Sequence, residues 1–187
     1  MALSRRTLLA AAAAAAVFPR DAVAHEAAPF VLPPELEPQR VRIRSDAAVG
    51  TIYVVPQNRF LYWVERPGQA VRFGVGVGRE GMNFRGEAVI QRKEEWPSWT
   101  PTADMIERDP EQYQQYADGM PGGPTNPLGA RALYLFQNGQ DTLFRIHGTN
   151  APRSIGQSVS NGCIRMLNSH VAYLYDRVPI GTGVVVY

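Results

Sequence analysis

The stretch Thr51-Ile-Tyr-Val-Val-Pro-Gln-Asn-Arg-Phe60-Leu-Tyr-Trp-Val-Glu-Arg-Pro-Gly-Gln-Ala70-Val-Arg-Phe-Gly-Val-Gly-Val77 decides the class of fold. It holds three runs rich in β-branched and aromatic residues, Thr51–Val55, Phe60–Val64 and Ala70–Val77, separated by Pro56-Gln57-Asn58 and Pro67-Gly68. Such side chains suit a pleated, half-buried surface, and proline with asparagine or glycine makes the turns. The stretch therefore reads as a meander of strands.

Downstream, Glu87–Gln91, Ala132–Phe136, Thr142–Ile146 and Gly183–Tyr187 repeat the same composition. Helix signals are fewer. Asp109-Pro110-Glu111-Gln112 offers an N-cap, a proline at the first helical position and a capping-box glutamine, with Gly119 as the stop. Asn168 is placed to cap a second helix, whose apolar positions Val171, Leu174, Tyr175 and Val178 run i, i+3, i+4, i+7 before Pro179. Between these, Gly119–Gly129 contains four glycines and three prolines and must be a loop. The expectation is a mainly β, β-sandwich-like domain or partly closed barrel with a few short helices.

Upstream, residues 1–24 read as an export signal. Arg5-Arg6 precedes an uncharged run from Thr7 to Phe18, and Ala22-Val23-Ala24 supplies a small-residue cleavage site. That run rises about 18 Å as a helix. The hydrocarbon core of a bilayer is roughly 30 Å thick, so the run suits a removable signal better than a permanent span. Ser-Arg-Arg-Thr-Leu-Leu fits a twin-arginine signal, with Sec export the plainer alternative. Residues 25–48 are proline-rich without a period and read as an extended lead-in, leaving 49–187 as the domain.

The signal also carries the whole of the charge imbalance. The full chain has 19 basic and 17 acidic residues; without residues 1–24 each count is 16. A neutral domain gives no warrant for binding nucleic acid or a membrane surface through bulk charge. The single cysteine, Cys163, rules out an internal disulfide framework, so it is either a buried small hydrophobe or a working thiol.

A working thiol must lose its proton, and a neighbouring histidine can take it. The chain has His25, His147 and His170. His147 ends a strand candidate in Ile-His-Gly-Thr-Asn, and Cys163 follows sixteen positions later in Val-Ser-Asn-Gly-Cys-Ile-Arg-Met. Gly162 permits a tight turn that can aim the N–H groups of Asn161, Gly162 and Cys163 at one point, as an oxyanion hole requires. Arg165 can share the face of Cys163, where its fork of donors suits a carboxylate or a peptide carbonyl.

These segments resemble the catalytic core of the L,D-transpeptidases, the YkuD-type domain of bacterial cell-wall enzymes. The resemblance rests on Asn-Pro-Leu-Gly-Ala-Arg-Ala-Leu-Tyr-Leu at 126–135, Ile-His-Gly-Thr-Asn at 146–150, Ser154-Ile155-Gly156, and Ser160-Asn-Gly-Cys-Ile-Arg-Met166. Asn168, Val178-Pro-Ile-Gly-Thr182, Gly76-Val-Gly-Arg79 and Lys93–Trp99 extend it over roughly residues 50–187. It implies a β-sandwich-like L,D-transpeptidase catalytic domain and acyl transfer on the stem peptides of peptidoglycan. Cys163 would attack the third residue of a tetrapeptide stem and expel D-alanine, and an amine on another stem would resolve the thioester into a 3→3 cross-link. His147 would be the base, the Gly148 carbonyl its orienter, and the backbone of Asn161, Gly162 and Cys163 the oxyanion donors.

Arg165, Ser160 and Thr149 are the expected substrate-contacting and shaping residues; Ser160 can alternatively close its turn by a local hydrogen bond. Members of that family often carry histidine or lysine where this chain has Asn161. Other acceptors use the same thioester: an outer-membrane protein's amine, or water in an L,D-carboxypeptidase. A non-catalytic wall-binding domain is the alternative from another class.

The remaining expectations are a monomer in the periplasm or cell envelope, with neither cofactor nor metal. Trp96 and Trp99 can wall a cleft or pack inside their loop. Tyr113, Tyr116 and Met120 can form a lid or simply pack. After signal removal, His25 would be N-terminal and able to chelate copper through its amine and ring. His170 reads as a solvated first-turn residue.

Overall fold

A computed structural model describes residues 30–187. The expected export signal and His25 lie outside the described residues. The chain is mostly β-strand, with a few short helices. In order it forms β1 (Gln39–Arg42), β2 (Ile52–Val55), β3 (Phe60–Arg66), β4 (Gln69–Gly74), β5 (Val77–Gly78) and β6 (Gly86–Glu95). Next come α1 (Ala103–Arg108), α2 (Pro110–Tyr113), β7 (Arg131–Gln137), β8 (Gln140–His147) and β9 (Ser158–Ser160). Last are β10 (Ile164–Arg165), α3 (Asn168–Tyr175) and β11 (Gly183–Val186).

Nine strands share one sheet in the order β1-β4-β3-β2-β11-β6-β7-β8-β10, and β5 pairs with β9 beside it. The meander read in residues 51–77 is present as antiparallel β2, β3 and β4, with Tyr53 opposite Tyr62 and Leu61 opposite Phe73. Its third run is divided. β4 stops at Gly74, and β5 leaves to join β9. At the break, Gly76 and Arg165 exchange backbone hydrogen bonds of 2.9 and 2.8 Å. That bridge ties the chain after β4 to β10, so the far edge of the sheet returns to its first hairpin.

The curl makes one continuous sheet pack upon itself as a sandwich does. Its interior holds Ile52, Leu61, Phe73, Ile90, Leu133 and Ile146 with Met166 and Leu174, all buried. Alternation along β2, where Ile52 and Val54 are buried and Tyr53 and Val55 half-buried, is the period-2 pattern of a strand with one core face.

The segment read as an extended lead-in is partly built into the fold. Its β1 pairs antiparallel with β4, Leu32 is buried, and Leu36 lies against the backbone of Gly74, where a Cβ would collide. Asp109 caps α2 as expected, its Oδ1 accepting from the Gln112 N–H at 3.2 Å. A separate helix, α1, precedes it, capped by Thr102. In α3, Val171 and Leu174 are buried, followed by Val178. The cap position there belongs to Leu167, however, and Asn168 is the first helical residue. Among the described residues no helix is long and apolar enough to cross a membrane.

Candidate active site

β8 and β10 run parallel, with Ile146 beside Ile164 and His147 beside Arg165. Side chains alternate across a strand, so both isoleucines enter the core while their neighbours leave on the other face. Ile146 and Ile164 are buried as this requires. Arg145, His147, Cys163 and Arg165 accordingly line one cleft of about 580 Å³. The ladder converts a separation of sixteen residues into adjacency.

His147 is 4% exposed and closes β8. Its Nδ1 donates to the Gly148 carbonyl oxygen at 2.6 Å, because a carbonyl can only accept. The proton is therefore on Nδ1, and Nε2 keeps the lone pair a base requires. Burial lowers the imidazole pKa to about 4, helped by the Arg165 cation and opposed by the hydrogen bond to the Gly148 carbonyl. The ring is neutral at neutral pH.

Cys163 is half-buried, with Sγ 3.9 Å from the Leu143 carbonyl oxygen. Burial pushes its thiol above the ordinary value, while the Arg145 backbone and the Arg145 and Arg165 charges pull the other way. Burial thus favours the neutral form of both the thiol and the imidazole that line this cleft. Leu143, which sequence reasoning missed, is 69% exposed and holds φ at +64° within an irregularity of the β7–β8 ladder. Asp141 Oδ1 accepts from the Leu143 N–H at 2.8 Å, and Thr142 Oγ1 donates to Leu135 O at 2.6 Å. The Asp-Thr pair at the head of β8 was the only sequence hint of this kink.

The turn before Cys163 differs in detail from the expected oxyanion hole. Ser160 Oγ donates to the Cys163 carbonyl at 2.7 Å and accepts from the Gly162 N–H at 3.1 Å. The Gly162 N–H is therefore engaged. Among the described residues, the Asn161 and Cys163 N–H groups have no protein acceptor. Ser160 itself is buried, closing the turn, although it borders the cleft. Gly162 has φ +116° and abuts the Phe144 ring, so only glycine fits without strain.

Two other expectations change. Thr149 is buried and does not line the cleft; its Oγ1 accepts from the Ala151 N–H at 3.0 Å. His170 is also buried, packed on Phe73 with Nε2 3.6 Å from Glu37, because β1's approach covers the start of α3. Arg165 does line the cleft, and among the described residues its guanidinium has no hydrogen-bonding or ion-pair partner. Asn161 lies at the cleft mouth, where its Oδ1 accepts from Arg108 Nη2 at 2.9 Å, linking α1 to the cysteine turn.

Trp99 stands on the cleft wall, edge-on to Tyr113 and Tyr116, with its backbone paired to Met120. Trp96 does neither job proposed for it from sequence. It is 46% exposed, with φ +45°, and lies outside the cleft lining. Among the described residues no group of three or more His, Cys, Asp or Glu is placed to hold a metal ion.

Comparison with known proteins places this cleft in a family. Residues 50–186 match the family model for the YkuD L,D-transpeptidase catalytic domain. The "Probable L,D-transpeptidase ErfK/SrfK" of Escherichia coli (strain K12) is 34% identical over 149 residues, 79% of this chain and 46% of that protein. The chain thus spans about half the length of such curated relatives. A Brucella melitensis crystal structure, named a probable carnitine operon oxidoreductase, shares 52% identity with TM-score 0.58, covering 83% of this chain and 96% of that one. That name describes a different activity from the one the family model and the curated relatives carry. An L,D-transpeptidase from Mycobacterium smegmatis, 19% identical, is alike in fold, with TM-score 0.52 over 73% of this chain and 58% of that one. The His-Gly-Thr and Ser-Asn-Gly-Cys segments both fall inside the matched span, and by that match the chain belongs to the L,D-transpeptidase (YkuD) family.

Proposed function

We propose that this protein is an exported cysteine acyltransferase that forms 3→3 cross-links between peptidoglycan stem peptides. The observation that carries the reading is the shared cleft face of Cys163, His147 and Arg165, with the imidazole fixed as an Nδ1–H base. The signal-like residues 1–24 supply the export half of the proposal.

Substrate enters with its third-residue carbonyl over Cys163. His147 Nε2 takes the thiol proton as Sγ forms its bond to the carbonyl carbon, and the oxyanion faces the Asn161 and Cys163 N–H groups. The tetrahedral intermediate then breaks its C–N bond. His147 returns the proton to the departing D-alanine amine, leaving a thioester. An amine of a second stem attacks the thioester, gives its proton to His147 and releases the thiol. Arg165 pairs with a substrate carboxylate, since a half-buried guanidinium without a partner is costly to leave empty.

The test is incubation with a carbapenem followed by intact-mass measurement. A covalent adduct that vanishes in Cys163→Ala is the expected result. No adduct between pH 6 and 8 would sink the thiol mechanism. Tetrapeptide stems with and without an amine acceptor then separate the acceptors: cross-linked product supports the transferase, and tripeptide alone in excess amine means water is the acceptor. An adduct with a supplied outer-membrane protein but no stem dimer would assign the tethering reaction instead.

A further inference from the structure

Asn168 leaves the helix-capping role its sequence suggests. Its Oδ1 accepts two backbone hydrogen bonds from outside α3, from Thr149 N–H at 3.0 Å and Ala130 N–H at 3.1 Å. The first donor has a particular place in the chain. Thr149 N–H and Gly148 C=O belong to one peptide unit, which is planar and trans, so the two groups point in opposite directions. One side of this peptide faces Asn168; the other receives the Nδ1–H of His147.

The second donor matters for a related reason. Ala130 lies two residues beyond Leu128, which lines the cleft together with His147. Asn168 thus ties the peptide that holds the imidazole to the Leu128–Ala130 segment of the cleft wall. Gly148 and Gly129 leave the room this requires: a Cβ on either would collide with Asn168 Oδ1. Gly129 also has φ +64° and closely approaches the Gly148–Thr149 peptide.

We propose that Asn168 is a positioning residue for the reaction, orienting His147 through the relay Asn168 Oδ1, Thr149 N–H, Gly148 C=O, His147 Nδ1–H. The inference rests on the reading of His147 as the base. Hydrogen bonds in series polarise one another, so the Asn168 contact strengthens the Gly148 carbonyl as an acceptor and favours the tautomer with Nε2 free. The arrangement performs with a side-chain amide and a peptide what a buried carboxylate does in a serine-protease triad.

The test uses the full chain, the carbapenem imipenem as acylating probe, and ¹⁵N NMR of the imidazole to read the tautomer. The wild-type protein should show His147 protonated at Nδ1. In Asn168→Leu, acylation should slow by about tenfold or more, with the Nδ1–H preference lost. Asn168→Asp keeps an acceptor oxygen in place and should retain the tautomer and most of the rate. A rate within twofold of wild type in Asn168→Leu, with the tautomer unchanged, overturns the relay. So does an Nε2–H tautomer in the wild-type protein, a measurement that stands even if the leucine variant does not fold. His147→Gln separates the two claims: wild-type acylation in that variant defeats the assignment of the base itself, whereas its loss beside an unaffected Asn168→Leu defeats only the relay.

Discussion

Arg165 stands directly across the parallel ladder from His147, and its unpaired cation is one reason the buried imidazole stays neutral. The same arginine is offered to the cleft without an acidic partner among the described residues. It sets the local electrostatics of the imidazole, and in the proposed function it is the group that meets an incoming carboxylate.

Replacing Arg165 with glutamine should therefore separate binding from stability. Removing a half-buried charge that lacks a partner leaves the melting temperature unchanged or higher. KM for a stem peptide should rise by about tenfold or more, since a charge-assisted hydrogen bond is lost. An unchanged KM would mean that Arg165 does not contact substrate.

His147 should also leave a signature in the pH dependence of stability. Its folded pKa of about 4 lies below the ordinary 6.5, so the unfolded chain binds its proton first as pH falls. The stabilisation is complete above 6.5 and is lost as pH drops from 6.5 through about 4. A shift of that size corresponds to roughly 3 kcal/mol. Urea unfolding of wild type and His147→Gln across pH 4–7.5 checks this: the variant's stability should change less steeply in that window, and identical slopes would contradict a buried neutral imidazole.

A neutral thiol predicts sluggish alkylation. Because burial raises the Cys163 pKa, its rate with iodoacetamide should lie below that of a free thiol at pH 7 and climb with pH beyond the midpoint of a free cysteine. A rate that is high and flat from pH 6 to 8 would instead indicate a preformed thiolate–imidazolium pair.

Ser160→Ala removes the hydroxyl that holds both the Gly162 N–H and the Cys163 carbonyl. Loss of these buried bonds should cost about 1–3 kcal/mol in denaturant unfolding. Imipenem acylation should slow by about tenfold, because the turn that aims the thiol loosens. Full activity at reduced stability would restrict Ser160 to a packing role.

Gly162→Ala tests the same turn from the backbone side. A Cβ there meets the Phe144 ring and must tolerate φ +116°. The variant should lose about 2 kcal/mol or more and most of its acylation activity. A neutral effect would show that the turn can relax without cost.

The sequence of β2 to β4 was readable because each run is short, β-branched or aromatic, and bounded by proline-bearing turns, and these are local causes. The division of the third run at Gly74 was not. It depends on Gly76 bonding to Arg165, a residue nearly half the chain away, and no local preference encodes that partner. Asn168 shows the same limit. Its position before an amphipathic run reads as a cap, yet its oxygen turns to Ala130 and Thr149 because tertiary packing brings two stronger claims on it.

By itself the sequence determined the β class, the single available thiol, the histidine at a strand end, and the glycines at which tight backbone could form. Those follow from residue chemistry and spacing. The tertiary structure decided which groups act together: β8 beside β10 places His147 and Cys163 in one cleft, Ser160 engages the Gly162 N–H, and Thr149 turns inward. Local propensity fixes the conformation of a segment. The partner of a buried hydrogen-bonding group depends on which distant donors and acceptors the packed core presents to it.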